Sequence, residues 1–305
     1  MFKLLLCAAL AASALPGALG DNAKSKIDQV TGVKGVYTGS EDVHKVSFPR
    51  TDVKVTVDRY QMSPFMGLTS WAAFTSGHQY EALVMGDLVL FEDEVNPVMS
   101  VALDNGLEVT ALHNHFFFDS PRVMFMHIGG EASADALARA VRKCLDKVKQ
   151  IRGAFPTPVM QFGGADIPVP SSITATVLDN VFGSSGQSNN GMYKAVIGQT
   201  ARMHGRPVGS QMGVNTWAAF AGSDDAAFVD GDFAMHPVEL QAVLKSLRGA
   251  GIHVVAIHNH MTNEEPQFVF LHYWGKGKAA FLAKAIKAAL EKQSAASSSR
   301  LTHPH

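Results

Sequence analysis

The sequence predicts an α+β fold, built as a tandem duplication of a β-β-β-α-β-β-α unit with pseudo-twofold packing. Three observations predict it. Blocks of residues recur: Trp71-Ala72-Ala73-Phe74 as Trp217-Ala218-Ala219-Phe220, Gly86-Asp87 as Gly231-Asp232, and His113-Asn114-His115 as His258-Asn259-His260. From Gly86 onward the repeated pairs, among them Glu94/Glu239, Pro121/Pro266, Phe125/Phe270 and His127/His272, keep one offset of 145 residues. Within each copy, period-two and continuous apolar runs stand beside stripes of helical period, without strict βαβ alternation.

Taken in order, residues 1–20 read as a secretory signal peptide. Lys3 supplies the charged start, Leu4 to Leu15 the apolar stretch, and Ala18-Leu19-Gly20 a small-x-small cleavage site before Asp21. The run is too short to cross a bilayer, and no later segment reaches about 18 uninterrupted apolar residues. A periplasmic or secreted protein with no transmembrane segment is expected. Cys7 departs with the signal, which leaves Cys144 as a small buried apolar side chain.

A polar lead-in, Asn22 to Lys26, opens the mature chain, and the first repeat covers 25–150. Val53 to Val57 alternates as a strand, and Trp71 to Thr75 and Ala82 to Phe91 are apolar strands. Glu92 to Asp104 is a helix with Val95, Val98, Met99, Ala102 and Leu103 on one face, stopped by Asn105-Gly106. Then come a strand from Leu107 to Phe116, a turn at Asp119-Ser120-Pro121, a strand from Arg122 to Ile128, and a helix from Ser133 to Val148. A Pro/Gly-rich linker spans 151–170, holding Pro156, Pro158, Gly163-Gly164, Pro168 and Pro170. The second repeat covers 171–292, with Pro237 in the first turn of its helix and Leu240, Val243, Leu244 and Leu247 repeating the stripe. Residues 293–305 form a disordered tail. Trp71 and Trp217 are expected to anchor the two cores.

Composition narrows the function classes. Of 305 residues, 47% are hydrophobic, so a sizeable core is available. A formal charge of -1 argues against a nucleic-acid binder, and two cysteines cannot make a disulfide scaffold.

The thirteen histidines carry the chemistry. Residues i and i+2 of a strand share a face, so His113 pairs with His115 and His258 with His260. A hairpin centred on Ser120 sets His113 opposite His127, and one centred on Glu265 sets His258 opposite His272. The expectation is a trio of imidazoles per copy, sharing a face with Val109, Ala111, Val123 and Phe125. Three rings crowded on an apolar face are expensive to bury unpartnered, and a divalent metal bound by the neutral rings at about 2.0–2.1 Å removes that cost. Zinc, copper, iron or manganese suits imidazole.

Three ligands leave an open position. Glu94 and Glu239 are the possible carboxylate partners, although a carboxylate also suits a helix N-terminus. Asp119/Glu264 could also fill that position, although they fit ordinary turn chemistry, and Asp87/Asp232 could do the same or simply cap or turn the chain. Asn114 and Asn259 point to the opposite face.

These residues make the chain resemble the LppY/LpqO family of bacterial exported proteins (DUF1259). The likeness rests on Trp71 to Phe74, Met85-Gly86-Asp87-Leu88, Glu94-Val95-Asn96-Pro97-Val98-Met99, Val109 to His115, and Phe125-Met126-His127. The resemblance implies export and a duplicated unit, and supplies no reaction. The second copy departs from the motif, with Val254-Val255-Ala256-Ile257 before its His-Asn-His and no Asn-Pro-Val after Glu239. The expected function is an exported metal-binding protein with two His-rich sites or one shared across the pseudo-twofold; whether it is also a metalloenzyme, a hydrolase or an oxidoreductase, is left open by the sequence. The alternatives are a non-enzymatic small-ligand binding module or a structural protein whose histidines form a packed polar layer.

Overall fold

A computed structural model describes residues 17–301, with side chains to 297. Residues 1–16 of the expected signal peptide and 302–305 of the expected tail lie outside the described residues. The first half holds α1 (Asp21–Thr31), β1 (Val36–Thr38), β2 (Val43–Pro49), β3 (Thr56–Val57), β4 (Tyr60–Gln61), β5 (Thr69–Ser76), β6 (Ala82–Phe91), α2 (Glu92–Asp104), β7 (Glu108–His113), β8 (Asp119–Ser120), β9 (Val123–Ala132) and α3 (Ala134–Ala154). The second holds α4 (Ala175–Phe182), β10 (Gln187–Asn189), β11 (Met192–Gly198), β12 (Thr200–Met203), β13 (Arg206–Gly209), β14 (Asn215–Gly222), β15 (Ala227–Met235), α5 (Leu240–Gly249), β16 (His253–His258), β17 (Glu264–Glu265), β18 (Val269–Gly277) and α6 (Ala279–Leu301).

Twelve strands join in one antiparallel sheet ordered β1-β2-β5-β6-β9-β7-β16-β18-β15-β14-β11-β10, which reads the same from either edge. Alternation along the strands divides their side chains between two faces. Phe74, Leu88, Met126, Phe220, Phe233 and Leu271 meet the apolar sides of the helices, among them Ile27, Val98, Leu137, Leu178, Leu244 and Ile286, in one continuous core. On the other face stand two small three-stranded sheets, β4-β3-β8 and β13-β12-β17. Each covers its own apolar cluster: Val55, Leu68, Val89, Phe91, Val123 and Phe125 in the first half, and Ala201, Val208, Val214, Ala234, Phe268 and Phe270 in the second.

The halves meet at β7 and β16, where a single ladder pair, Leu112↔Ile257, spans the seam. Each of these strands carries a β-bulge, at Val109/Ala111 and Val254/Ala256. A bulge leaves backbone groups unpaired in the ladder, and buried backbone groups need partners. The opposite half supplies them. The Asn96 amide on α2 accepts from Val254 N at 2.8 Å and donates to Val254 O at 3.1 Å. Reciprocally, Gln241 on α5 accepts from Val109 N at 3.0 Å and donates to Val109 O at 2.9 Å. Asn96 and Gln241 occupy equivalent positions, as do Val109 and Val254.

The structure revises several expectations. The third long strand of the first half is β2, not Val53–Val57; only Thr56–Val57 is extended, and it belongs to the small sheet. The polar lead-in is helical, since α1 buries Ala23 and Ile27 on one side despite its polar composition. Leu19, inside the expected cleavage motif, is 3% exposed, and its N–H donates to Asp42 Oδ1 at 2.8 Å. Helix α3 runs on to Ala154, into the expected linker, and α6 continues to Leu301 through the segment expected to be a tail. Trp71 and Trp217 do not anchor the cores. Both are half-buried on the helix-free face, with Lys45 Nζ 4.2 Å and Lys194 Nζ 4.3 Å over their rings. Cys144 is buried as expected, its thiol pushed up to about 12 by desolvation.

Candidate metal centre

The histidines lie on the helix-free face, and the strand register decides how they meet. In β7–β9 the pairs are His113↔Phe125 and Ala111↔His127, two residues away from the expected hairpin register. The second half repeats this with His258↔Phe270 and Ala256↔His272. The shift arises because residues 114–122 are not a tight turn: β8 leaves the main sheet to pair with β3 through Thr56↔Ser120 and Val57↔Asp119. A slip of two preserves the face. His127 therefore sits diagonal to His113, and the two Nε2 atoms lie 3.1 Å apart. Two nitrogens bound to one ion at about 2.0–2.1 Å would stand about 2.9–3.4 Å apart, so this spacing fits shared ligation. Val109 is not on this face. The bulge turns it into the helix-side core, leaving Ala111 and His113 beside the site.

The third histidine of each copy lies just past the strand end and stacks on a phenylalanine. His115 lies over Phe125 at a 3.3 Å centroid distance, and His260 over Phe270 at 3.5 Å. Ring centroids of His113 are 5.2 Å from those of both His115 and His127. In the second copy His258 is 5.0 Å from His260 and 4.7 Å from His272. Each trio is thus brought together.

The carboxylate beside the histidines is neither of those favoured from sequence. Asp87 and Asp232 point from the middle of β6 and β15 directly across from His127 and His272. Asp232 is 2% exposed; its carboxylate lies 3.4 Å from His260 Nε2 and 4.0 Å from His272 Nδ1, and accepts from Leu271 N at 3.1 Å. Ligand atoms of Asp232, His258 and His272 all fall within 4.8 Å of one another. Asp87 Oδ1 and His258 Nδ1 are buried without a hydrogen-bond partner, a cost that a bound cation would relieve. The preceding glycine has its own cause. A Cβ on Gly231 would collide with the Tyr273 hydroxyl and the Trp217 carbonyl, and one on Gly86 would lie 2.8 Å from the Trp71 carbonyl.

Glu94 and Glu239 are on the other face and serve as structural anchors. Glu94 is fully buried, accepts from Arg50 Nη1 at 2.8 Å and Nη2 at 3.0 Å, and caps α2 through Phe91 N at 2.9 Å. Glu239 accepts from His236 N and Gln293 Nε2, each at 2.9 Å, and from the Ser297 hydroxyl. Asp119 and Glu264 brace their own loops, accepting from Val123 N at 2.6 Å and Phe268 N at 3.0 Å. Asn114 hydrogen-bonds Phe116 O at 3.0 Å. Sequence could have flagged Asp87 and Asp232: each is a charge inside an already recognised apolar strand, on the parity opposite the helix-facing residues.

Electrostatically the second centre favours a neutral ring at His258. Burial, reinforced by His272 and His260, pushes His258 down to about 4. His115 is lowered by burial and by His113, against the pull of Asp87. Burial raises Asp232, opposed by His272 and His260. Neutral imidazoles beside an acid are donors that a divalent ion would engage, with the ion's charge drawing the carboxylate to its ionised form.

A family model described as a Domain of Unknown Function (DUF1259) matches residues 25–147 and again 176–292. The chain belongs to the DUF1259 family. The two matched stretches correspond to the two halves of the sheet, so each DUF1259 copy contributes one histidine trio and its aspartate. No curated protein matches. Among solved structures, the chain is similar to a trimeric bacterial microcompartment shell protein, PduB, at 16% identity over 87% of this chain and 92% of that one, with a TM-score of 0.21. It is also similar to EtuB from Clostridium kluyveri, at 11% identity over 87% and 92%, with a TM-score of 0.22. Scores this low carry no argument about fold or function.

Proposed function

We propose that this protein is an exported metal-binding protein in which each repeat binds one divalent first-row transition ion. The ligands are His113, His115 and His127 with Asp87 in the first repeat, and His258, His260 and His272 with Asp232 in the second. The observation that carries this reading is the convergence of Asp232, His258 and His272 within 4.8 Å, beside buried polar atoms that lack partners. Three imidazoles and one carboxylate suit zinc, iron or manganese, and copper(II) also accepts such a set. His260 and His272 keep 32% and 42% of their side-chain surface exposed, so a small molecule can reach an ion held there. The apolar segment Leu4–Leu15 after Lys3 supports export.

Elemental analysis of tag-free protein tests the reading. The expected result is up to two equivalents of metal per chain, one lost in His258→Ala with His272→Ala and the rest in His113→Ala with His127→Ala. A folded wild-type protein that takes up no zinc, iron, manganese or copper on incubation would overturn it.

A further inference from the structure

The two centres share one flank and differ in the other. On the shared flank, the half-buried Trp71 stands directly across from Asp87, and Trp217 across from Asp232, each with a lysine over its ring. On the other flank runs the loop that follows the second histidine. In the first repeat it is Phe116-Phe117-Phe118, and in the second Met261-Thr262-Asn263. Phe117 and Phe118 are 80% and 83% exposed, and they begin two residues beyond His115. Through this bent segment that is at most about 7 Å along the chain.

The backbone makes this exposure more telling. Phe118 has φ of 58° and Asn263 has φ of 65°. Asparagine tolerates the left-handed region, whereas a bulky ring there is strained by about 1 kcal/mol or more. The first repeat therefore keeps a large apolar side chain in solvent on a backbone that its counterpart gives to asparagine. Neither burial nor local conformation accounts for that choice. Contact with an apolar group held at the adjacent centre does.

We infer that the first-repeat centre takes a metal-chelating small molecule bearing an apolar or aromatic group, which Phe117 and Phe118 contact. The second centre, with Thr262 and Asn263 in their place, takes a more polar one. This rests on the metal reading above. Discrimination comes from apolar surface removed from water at one site and not the other, while chelation is common to both.

The test uses the full chain with its second centre disabled by Asp232→Asn and His258→Ala, loaded with zinc and titrated calorimetrically with acetohydroxamate and with benzohydroxamate. The two probes share a chelating group, so the ratio of their affinities reports the apolar contact. The expected ratio favours benzohydroxamate by about tenfold or more, equivalent to about 1.4 kcal/mol. It should fall at least severalfold in Phe117→Thr with Phe118→Asn, a swap whose residues the second repeat already carries on the same turn. Phe117→Thr alone, which leaves the strained position untouched, should lower the ratio part of the way. A ratio unchanged by either variant while zinc and both probes still bind overturns this inference and leaves the metal reading standing. A folded wild type that takes up none of zinc, iron, manganese and copper overturns both. If the swap instead abolishes self-association on size-exclusion chromatography, or co-sedimentation with phosphatidylcholine vesicles, without changing the ratio, the phenylalanines serve a chain–chain or lipid contact and the inference is wrong.

Discussion

Glu94 and Glu239 occupy the same place in the two halves and are held by opposite means. Around Glu94 stand two guanidinium groups: Arg50 forks onto it, and Arg152 Nε lies 2.9 Å from Oε1 while its Nη2 pairs with Asp93. Among the described side chains, none of the partners of Glu239 is an arginine. Gln199 stands where Arg50 does, each donating its N–H across to the equivalent carbonyl, and Ser297 stands at the position of Arg152. Glu239 is satisfied by an amide, a hydroxyl and a backbone N–H. A carboxylate that survives two such different surroundings is kept for what the surroundings share, which is closing the helical turn that follows the sixth strand of its half. That separates it from Asp87 and Asp232, whose neighbours in the two halves are the same.

The largest expected effect breaks this pair apart. Arg50→Ala leaves a buried carboxylate short of its main partner and should cost about 3–5 kcal/mol in urea denaturation. Ser297→Ala removes one neutral donor and should cost about 1.5 kcal/mol. Equal losses would show that the charged and neutral solutions are energetically alike. Next come the seam amides. Asn96→Ala strands the buried N–H and carbonyl of Val254 and should cost about 1–3 kcal/mol, with Gln241→Ala, at a half-buried site, costing less. The reverse order would mean that the two sides of the seam are not loaded as their burial implies.

The smallest effect concerns pH. His253 packs against both Phe162 and Trp274 at centroid distances of 4.3 and 4.5 Å, and burial, assisted by Arg248, pushes it down to about 4. Its folded value lies below the unfolded value of about 6.5, so its contribution is fully present above pH 6.5 and is lost as pH falls toward 4. The equivalent position in the first half is Glu108. His253→Phe should therefore reduce, without abolishing, the fall in the metal-free protein's stability between pH 7 and 5, since His258 titrates in the same window; denaturation midpoints measure it. An unchanged slope would place that sensitivity elsewhere.

Much of this was legible in the chain. The constant offset exposed the duplication, period-two alternation set the histidines on one face, and helix α2 begins and ends where its stripe and its Asn-Gly stop place it. What escaped reading has physical causes. Strand β2 exposes Lys45 and Ser47 on the helix-free side, so its apolar signal is thin, and α1 buries only one narrow side. The register between β7 and β9 depends on β8 leaving to pair with β3, a long-range contact with no local signature. Asp87 follows a glycine, a pattern that also suits a turn, yet that glycine answers to crowding behind the strand and not to a bend.

The reciprocal latch between Asn96 and Val254, and between Gln241 and Val109, has an evolutionary corollary. Every half carries both the hook and the eye, so a polypeptide comprising one unit would already own a complete mating edge for a sibling. Once tethered, the siblings were free to diverge: both keep the clasp, while one holds its capping glutamate with arginines and carries the exposed phenylalanines and the other uses uncharged hydrogen-bonders.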